Sequence, residues 1–316
     1  MEQHRTGEIP KMNAKPAQTI LEPQRRPAMK KTHSGLLVLA GALLCLGAST
    51  AATAQNAQDR AAAATKRVDG SFIRANAAQK KTPDWPSVGL DYSESRFSQL
   101  DQVNAGNVKQ LGLVWSYNLE STRGVEATPL VVDGIMYVTA SWSVVHAIDT
   151  RTGQKLWTFD PQVDKSKGFK GCCDVVNRGV AIYEGKVYVA AYDGRLIALD
   201  AATGQKVWEK NTIEGQKGSY TITGAPRVFK GKVIIGNGGA EYGVRGFVTA
   251  YDAKTGDQKW RWFVVPGDPS KPFEDESMAR AAKTWDPSGK YWEAGGGGTA
   301  WDSFAFDPDL NLMYVG

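Results

Sequence analysis

Short apolar runs broken by Gly-containing turns dominate the chain from about residue 129 onward, and its repeated segments carry no helical periodicity. Three segments align without gaps: Ala147-Ile-Asp-Thr-Arg-Thr-Gly-Gln-Lys-Leu-Trp157, Ala198-Leu-Asp-Ala-Ala-Thr-Gly-Gln-Lys-Val-Trp208 and Ala250-Tyr-Asp-Ala-Lys-Thr-Gly-Asp-Gln-Lys-Trp260. Their tryptophans are spaced by 51 and 52 residues. Each segment reads as strand, Asp-x-x-Thr-Gly turn, strand, because Gly supplies the positive φ of the turn and Asp and Thr bond its backbone. A second hairpin pattern lies upstream, as in Pro129-Leu-Val-Val-Asp-Gly134-Ile-Met-Tyr-Val138 and Val180-Ala-Ile-Tyr-Glu-Gly185-Lys-Val-Tyr-Val189.

Four short strands per repeat of roughly 50 residues predict an all-β chain built as β-propeller blades. The repeated Trp is expected to dock between neighbouring blades, with its N–H on a backbone acceptor. About four blades fit between residues 85 and 316. The last, Ala305-Phe-Asp-Pro-Asp-Leu-Asn-Leu-Met-Tyr-Val-Gly316, reads as an opening hairpin without its Trp. Since a propeller closes to satisfy its edge strands, the expectation is the N-terminal part of a longer propeller.

The formal charge of +5 first suggests an anionic partner, but its distribution removes that reading. Residues 1–54 hold seven Lys/Arg against three Glu, leaving 31 basic and 30 acidic residues from 55 onward. No nucleic acid is expected as a partner. Arg25, Arg26, Lys30 and Lys31 precede an apolar run from Leu36 to Leu46 and then Ala52-Thr-Ala54. That order reads as an N-terminal extension and signal peptide over 1–54, with an uncleaved anchor as the alternative. The mature domain is then 55–316, exported to the periplasm, where disulfides persist.

Residues 55–316 contain one histidine, His146, and two cysteines, Cys172 and Cys173. A His-rich zinc site is excluded, and a Ser-His-Asp triad could use only His146, which sits in a strand-like stretch and reads as a structural histidine. No C-x-x-C-H, P-loop or strand-borne G-x-G-x-x-G is present. On composition alone the two cysteines are either separate buried thiols or a bonded pair of neighbours.

Three segments carry a family resemblance: Gly171-Cys-Cys-Asp-Val-Val-Asn-Arg-Gly179, Gly238-Gly-Ala-Glu-Tyr-Gly-Val-Arg-Gly246 and Gly295-Gly-Gly-Gly-Thr-Ala-Trp-Asp-Ser303. With the Trp repeats, they resemble the pyrroloquinoline quinone (PQQ) dependent alcohol dehydrogenases from about Trp85 to Gly316, nearest the quinohaemoprotein ethanol-type branch. The resemblance implies an eight-bladed propeller and a Cys172–Cys173 ring disulfide over one face of the quinone. Trp301, after four glycines that permit close backbone approach, would stack on the other face. Glu241 would be a ligand of Ca²⁺, a hard cation that takes carboxylate oxygens, with a lanthanide left open. Gly238, Gly239 and Ala240 would contact the cofactor closely, with Gly238 where methanol-type relatives often carry Ser. Arg178 would lie near the reactive quinone oxygen. Thr223, Thr299 and Glu126 would hydrogen-bond the cofactor.

The reaction implied is oxidation of a primary or secondary alcohol to an aldehyde or ketone by hydride transfer to the quinone. Electrons would pass to cytochrome c or a quinone acceptor, and association with the inner membrane is one arrangement the resemblance allows. The family's catalytic Asp and a metal-sharing Asn match positions beyond Gly316, so no catalytic base is expected in this chain. A haem c would also belong beyond Gly316. The competing class is a non-enzymatic propeller scaffold of the cell envelope, which needs neither adjacent cysteines nor a Gly-Gly-Ala-Glu corner.

Overall fold

A computed structural model describes residues 55–316. The leader assigned to residues 1–54 lies outside the described residues. Three four-stranded antiparallel sheets follow one another along the chain, each in simple up-and-down order. The first contains β1 (Leu130–Val132), β2 (Ile135–Thr139), β3 (Val145–Asp149) and β4 (Gln154–Phe159). The second contains β5 (Ala181–Tyr183), β6 (Lys186–Ala190), β7 (Arg195–Asp200) and β8 (Lys206–Asn211). The third contains β9 (Arg227–Phe229), β10 (Lys232–Gly236), β11 (Phe247–Asp252) and β12 (Gln258–Phe263). A two-stranded hairpin, β13 (Phe304–Asp307) and β14 (Leu312–Val315), opens the next unit. The repeats are therefore propeller blades, and the fourth is present here as its first hairpin.

Burial follows position within the blade. Every residue of β3 is buried, whereas β4 is exposed or half-buried at every position but Trp157, because inner strands are covered on both faces and the outer strand is a rim. Trp157 sits on that rim yet is only 7% exposed, because its ring turns onto the next blade. Its Nε1–H donates to the carbonyl of Ala201 at 3.0 Å, and the Tyr137 hydroxyl donates to the same oxygen at 3.0 Å. Trp208 and Tyr188 repeat the arrangement on the carbonyl of Ala253, at 3.3 and 2.8 Å.

The acceptor follows the turn Asp. Asp200 Oδ1 accepts from the backbone N–H of Ala202 and Thr203 and from the Thr203 hydroxyl. Gly204 closes the turn at φ +72°, and a Cβ there would lie 2.6 Å from the Trp157 ring. The glycine is thus required by the turn and by the ring above it. Each blade carries one register shift at the same place, Ala147/Ile148, Ala198/Leu199 and Ala250/Tyr251.

Helices lie outside the repeats, a feature the all-β reading did not contain. Residues 55–66 are helical. The helix α1 (Gly70–Ala77) is capped by Asp69, whose side chain accepts from the Phe72 N–H, and α2 (Glu276–Ala282) by Asp275. None of the described helices is long and apolar enough to cross a membrane. After α1 the chain pairs Trp85 with Val131 of β1. It then lays Tyr92 edge-on against Phe229 and Phe306 of the third and fourth units.

His146, on β3, is 3% exposed; its Nδ1 meets the hydroxyls of Tyr117 and Thr158 at 3.1 and 3.2 Å, and its Nε2 has no partner. Burial lowers its pKa below the ordinary histidine value. The unfolded chain therefore binds the proton more readily, and folding stability falls as pH drops below about 6.5. The His146→Gln variant should lose this part of the pH dependence. Urea midpoints at pH 7.5 and 5.5 for both proteins check it; equal slopes would rule it out.

Candidate functional site

In an up-and-down blade the turns between the second and third strands lie at the same end as the connections to the next blade. The Asp-x-x-Thr-Gly turns lie at the opposite end. The first of these ends carries an open-mouthed cavity of about 150 Å³. Its walls come from three connections and one turn. Gly171–Asp174 and Arg178 lie between β4 and β5, Thr221 and Thr223 between β8 and β9, and Thr299 and Trp301 between β12 and β13. Gly238, Gly239 and Glu241 come from the β10–β11 turn.

Nine of the eleven residues singled out in the sequence line this cavity: Cys172, Cys173, Arg178, Thr223, Gly238, Gly239, Glu241, Thr299 and Trp301. Cys172 and Cys173 are bonded to each other. Trp301 exposes 50% of its surface, in contrast to the 7% of Trp157, so its ring is not used for blade docking. Glu126 is not a lining residue; its carboxylate bonds Arg178 at 2.8 Å and reaches the cavity only through it. Ala240 lies in the short turn Ala240–Tyr242 and does not line the cavity either.

Arg178 is held through both its side chain and its backbone. Its Nη1 donates to Thr223 Oγ1 at 2.6 Å, and its backbone N–H donates to the Thr223 carbonyl at 2.9 Å. Its carbonyl accepts from the Thr128 N–H at 3.1 Å, and the guanidinium lies 4.8 Å over the Trp301 ring. The cavity thus has a cation at a fixed place, beside an exposed indole.

The carboxylates behave differently from one another. Asp174 accepts from the Arg123 guanidinium and the Val175 and Gly124 N–H groups, and its pKa is held below the usual carboxylate range, first by Arg123 and then by Val175. So anchored, it is a poor proton acceptor. Glu241, on an exposed turn, makes no hydrogen bond or ion pair among the described residues. No group of three or more His, Cys, Asp or Glu placed to hold a metal occurs among the described residues. Ca²⁺ takes six to eight oxygens, so Glu241 is one donor and these residues do not complete a set.

Sequence reasoning left out Gly171, Thr221 and Asp174. Thr221 had a readable signal: it stands two residues before Thr223, the spacing that puts extended residues on one face, and it pairs with Gly238. Asp174 stood inside the quoted cysteine motif, but its role depends on Arg123, 51 residues away.

The match to known proteins is extensive. The family described as PQQ: glucose/ethanol/alcohol dehydrogenase, β-propeller domain, matches residues 85–316. The quinohemoprotein alcohol dehydrogenase of Comamonas testosteroni is 76% identical over 272 residues, covering 86% of this chain and 38% of that protein. The quinohemoprotein alcohol dehydrogenase ADH-IIG of Pseudomonas putida is 59% identical over 249 residues, covering 79% of this chain and 34% of that protein. The crystal structure of the Comamonas testosteroni protein superposes with a TM-score of 0.80 at 78% identity, over 82% of this chain and 38% of the other. The chain spans little more than a third of the length of these relatives.

Proposed function

The chain belongs to the PQQ glucose/ethanol/alcohol dehydrogenase β-propeller family, and from that premise we propose that it forms a large part of a PQQ cradle serving oxidation of a primary or secondary alcohol. One observation carries the reading: a bonded Cys172–Cys173 pair, an exposed Trp301 and an anchored Arg178 line one cavity. The fit to PQQ rests on chemistry. A planar ring finds an indole face, carboxylates find a guanidinium and the hydroxyls of Thr221, Thr223 and Thr299, and Gly238 and Gly239 allow backbone approach. When bound, PQQ supplies a quinone carbonyl able to accept hydride from the alcohol carbon, and Ca²⁺ or a lanthanide supplies Lewis acidity.

The residues of this chain do the holding. Glu126 and Thr223 fix the Arg178 guanidinium so that its donors are aimed without a reorganisation cost when a ligand carboxylate or carbonyl arrives. The disulfide turn and Trp301, both exposed at the cavity, would cover the two faces of the bound ring. Glu241 would contribute a carboxylate to the metal. Asp174 is not the base, and removal of the alcohol proton is assigned to an aspartate outside residues 1–316. Electron transfer to cytochrome c or a quinone, a haem c beyond this region, an inner-membrane association and a periplasmic location complete the proposal.

Titration of the full-length apoprotein with PQQ, followed by tryptophan fluorescence, should saturate at one equivalent. The Arg178→Ala variant should weaken binding about ten- to hundredfold, the value of hydrogen bonds to charged groups. Glu241→Gln should leave quinone binding measurable while abolishing its response to added Ca²⁺. Absence of saturable binding in the parent protein would sink the reading.

A further inference from the structure

Asp174 directly follows the bonded cysteines and has φ +70°, a left-handed conformation that Asp tolerates better than most residues. Its carboxylate is wholly engaged. Oδ2 accepts from Arg123 Nε at 3.1 Å and from the Gly124 N–H at 3.3 Å, and Oδ1 accepts from the Val175 N–H at 2.7 Å and from Arg123 Nη2. Arg123 and Gly124 belong to the stretch that also carries Glu126, the partner of Arg178 at 2.8 Å. That stretch is held from beneath: Ser141 Oγ donates to the Gly124 carbonyl at 3.1 Å and lies 2.5 Å from Ser121 Oγ. Packing is close, since a Cβ on Gly124 would sit 3.3 Å from Val176 Cγ1.

Residues 121–126 therefore touch both walls of the cavity, the disulfide turn through Asp174 and the cationic wall through Arg178. We propose that the Arg123–Asp174 pair is a positioning device that fixes the disulfide turn relative to Arg178, so that the quinone meets two walls already at their binding separation. The inference rests on the PQQ reading above. Stability is not the purpose of the pair. Arg123 and Asp174 side chains are 51% and 30% exposed, and ion pairs so exposed contribute little to folding. Ordering of two walls that would otherwise move independently acts on ligand affinity instead.

The experiment uses full-length apoprotein carrying Arg123→Ala, Asp174→Ala, both together, or Arg123→Lys, with PQQ affinity and apoprotein melting temperature as readouts. Each alanine variant should weaken PQQ binding about tenfold, as loss of an outer partner does at other preorganised sites. The double variant should be no worse than the weaker-binding single one, because both remove the same staple. Arg123→Lys should regain part of the loss, and melting should shift by less than about 2 °C. Affinity within about twofold of the parent, or losses that add in the double variant, would overturn the staple. So would a fall in melting of more than about 5 °C accompanying the loss, since the pair would then act on folding at large. A parent protein that binds no PQQ would instead count against the cradle itself, which separates the two failures.

Discussion

Trp157→Ala should destabilise the folded chain by about 3–5 kcal/mol, the cost typical of truncating a buried tryptophan in a core. Two losses combine. The ring, which covers Gly204 and lies 5.9 Å from Tyr137 centroid to centroid, leaves a cavity at the junction of the first and second blades. The Ala201 carbonyl also loses one of its two donors, although Tyr137 keeps it from being orphaned. Trp157→Phe should therefore cost clearly less, since most of the apolar contact survives and the carbonyl remains paired. Trp262, 36% exposed on β12 with a long contact to Ser277, is the control, and Trp262→Ala should be nearly silent. Denaturant unfolding of the three variants reads the order. Equal losses for the Phe and Ala variants would mean that the hydrogen bond, not the ring, holds the blades together.

That docking was legible because its parts are local and repeated. Asp-x-x-Thr-Gly and Trp recur within eleven residues, so the turn, the strand and the ring can be read from one window. Trp115 escaped the same reading although it does the same work. Its Nε1–H donates to Thr150 at 2.8 Å, and its ring covers Gly153 as Trp157 covers Gly204. It stands outside any Asp-x-x-Thr-Gly segment, so no local pattern announces it. Tyr137 and Tyr188 were equally silent. They recur 51 residues apart, but a tyrosine in an apolar strand is ordinary until its hydroxyl finds a carbonyl on the next blade.

The site divides along the same line. Adjacent cysteines, a glycine run before Trp301 and the Gly-Gly-Ala-Glu turn are contiguous in sequence, and the lining residues they contain were found. Glu126 was expected to reach the cofactor, and the structure places it behind Arg178, an arrangement fixed by a contact across 52 residues. The clamp on Asp174 spans 51 residues and the Arg178–Thr223 bond 45, separations over which composition and spacing carry no information. The helices at 55–66 and Gly70–Ala77 were missed for a different reason. They lie between the leader and the first blade, where the period-based reading had no repeat to follow.

Gly236→Ala should weaken PQQ binding about a hundredfold while leaving the backbone conformation of its own residue allowed. Gly236 ends β10 with an ordinary strand φ, so alanine introduces no torsional strain there. The difficulty is space: a Cβ at this position would sit 2.0 Å from the Ala300 carbonyl oxygen and 2.9 Å from its carbon. Two further glycines, Gly246 before β11 and Gly224 in the β8–β9 connection, face the same segment. A Cβ on Gly246 would lie 2.2 Å from the Gly298 oxygen, and one on Gly224 2.3 Å from the Trp301 oxygen. Residues 298–301 are thus laid backbone to backbone against the blade, which fixes where Thr299 and Trp301 enter the cavity. Relief of the clash requires the segment to move by about 1 Å or more, since carbon–oxygen contacts settle near 3.3–3.6 Å. Overpacking of this kind costs about 1–3 kcal/mol of stability. A displacement of that size at a binding wall should weaken the quinone about a hundredfold. Gly289→Ala, where a Cβ meets nothing within 4 Å, is the matched control and should be neutral in both measurements. Parent-like PQQ affinity in Gly236→Ala would show that Trp301 is placed by something other than this contact. Partial loss with parent-like stability would instead locate the movement in the 298–301 segment alone, because the blade beneath it is held by its own ladder and by the Trp208–Ala253 dock.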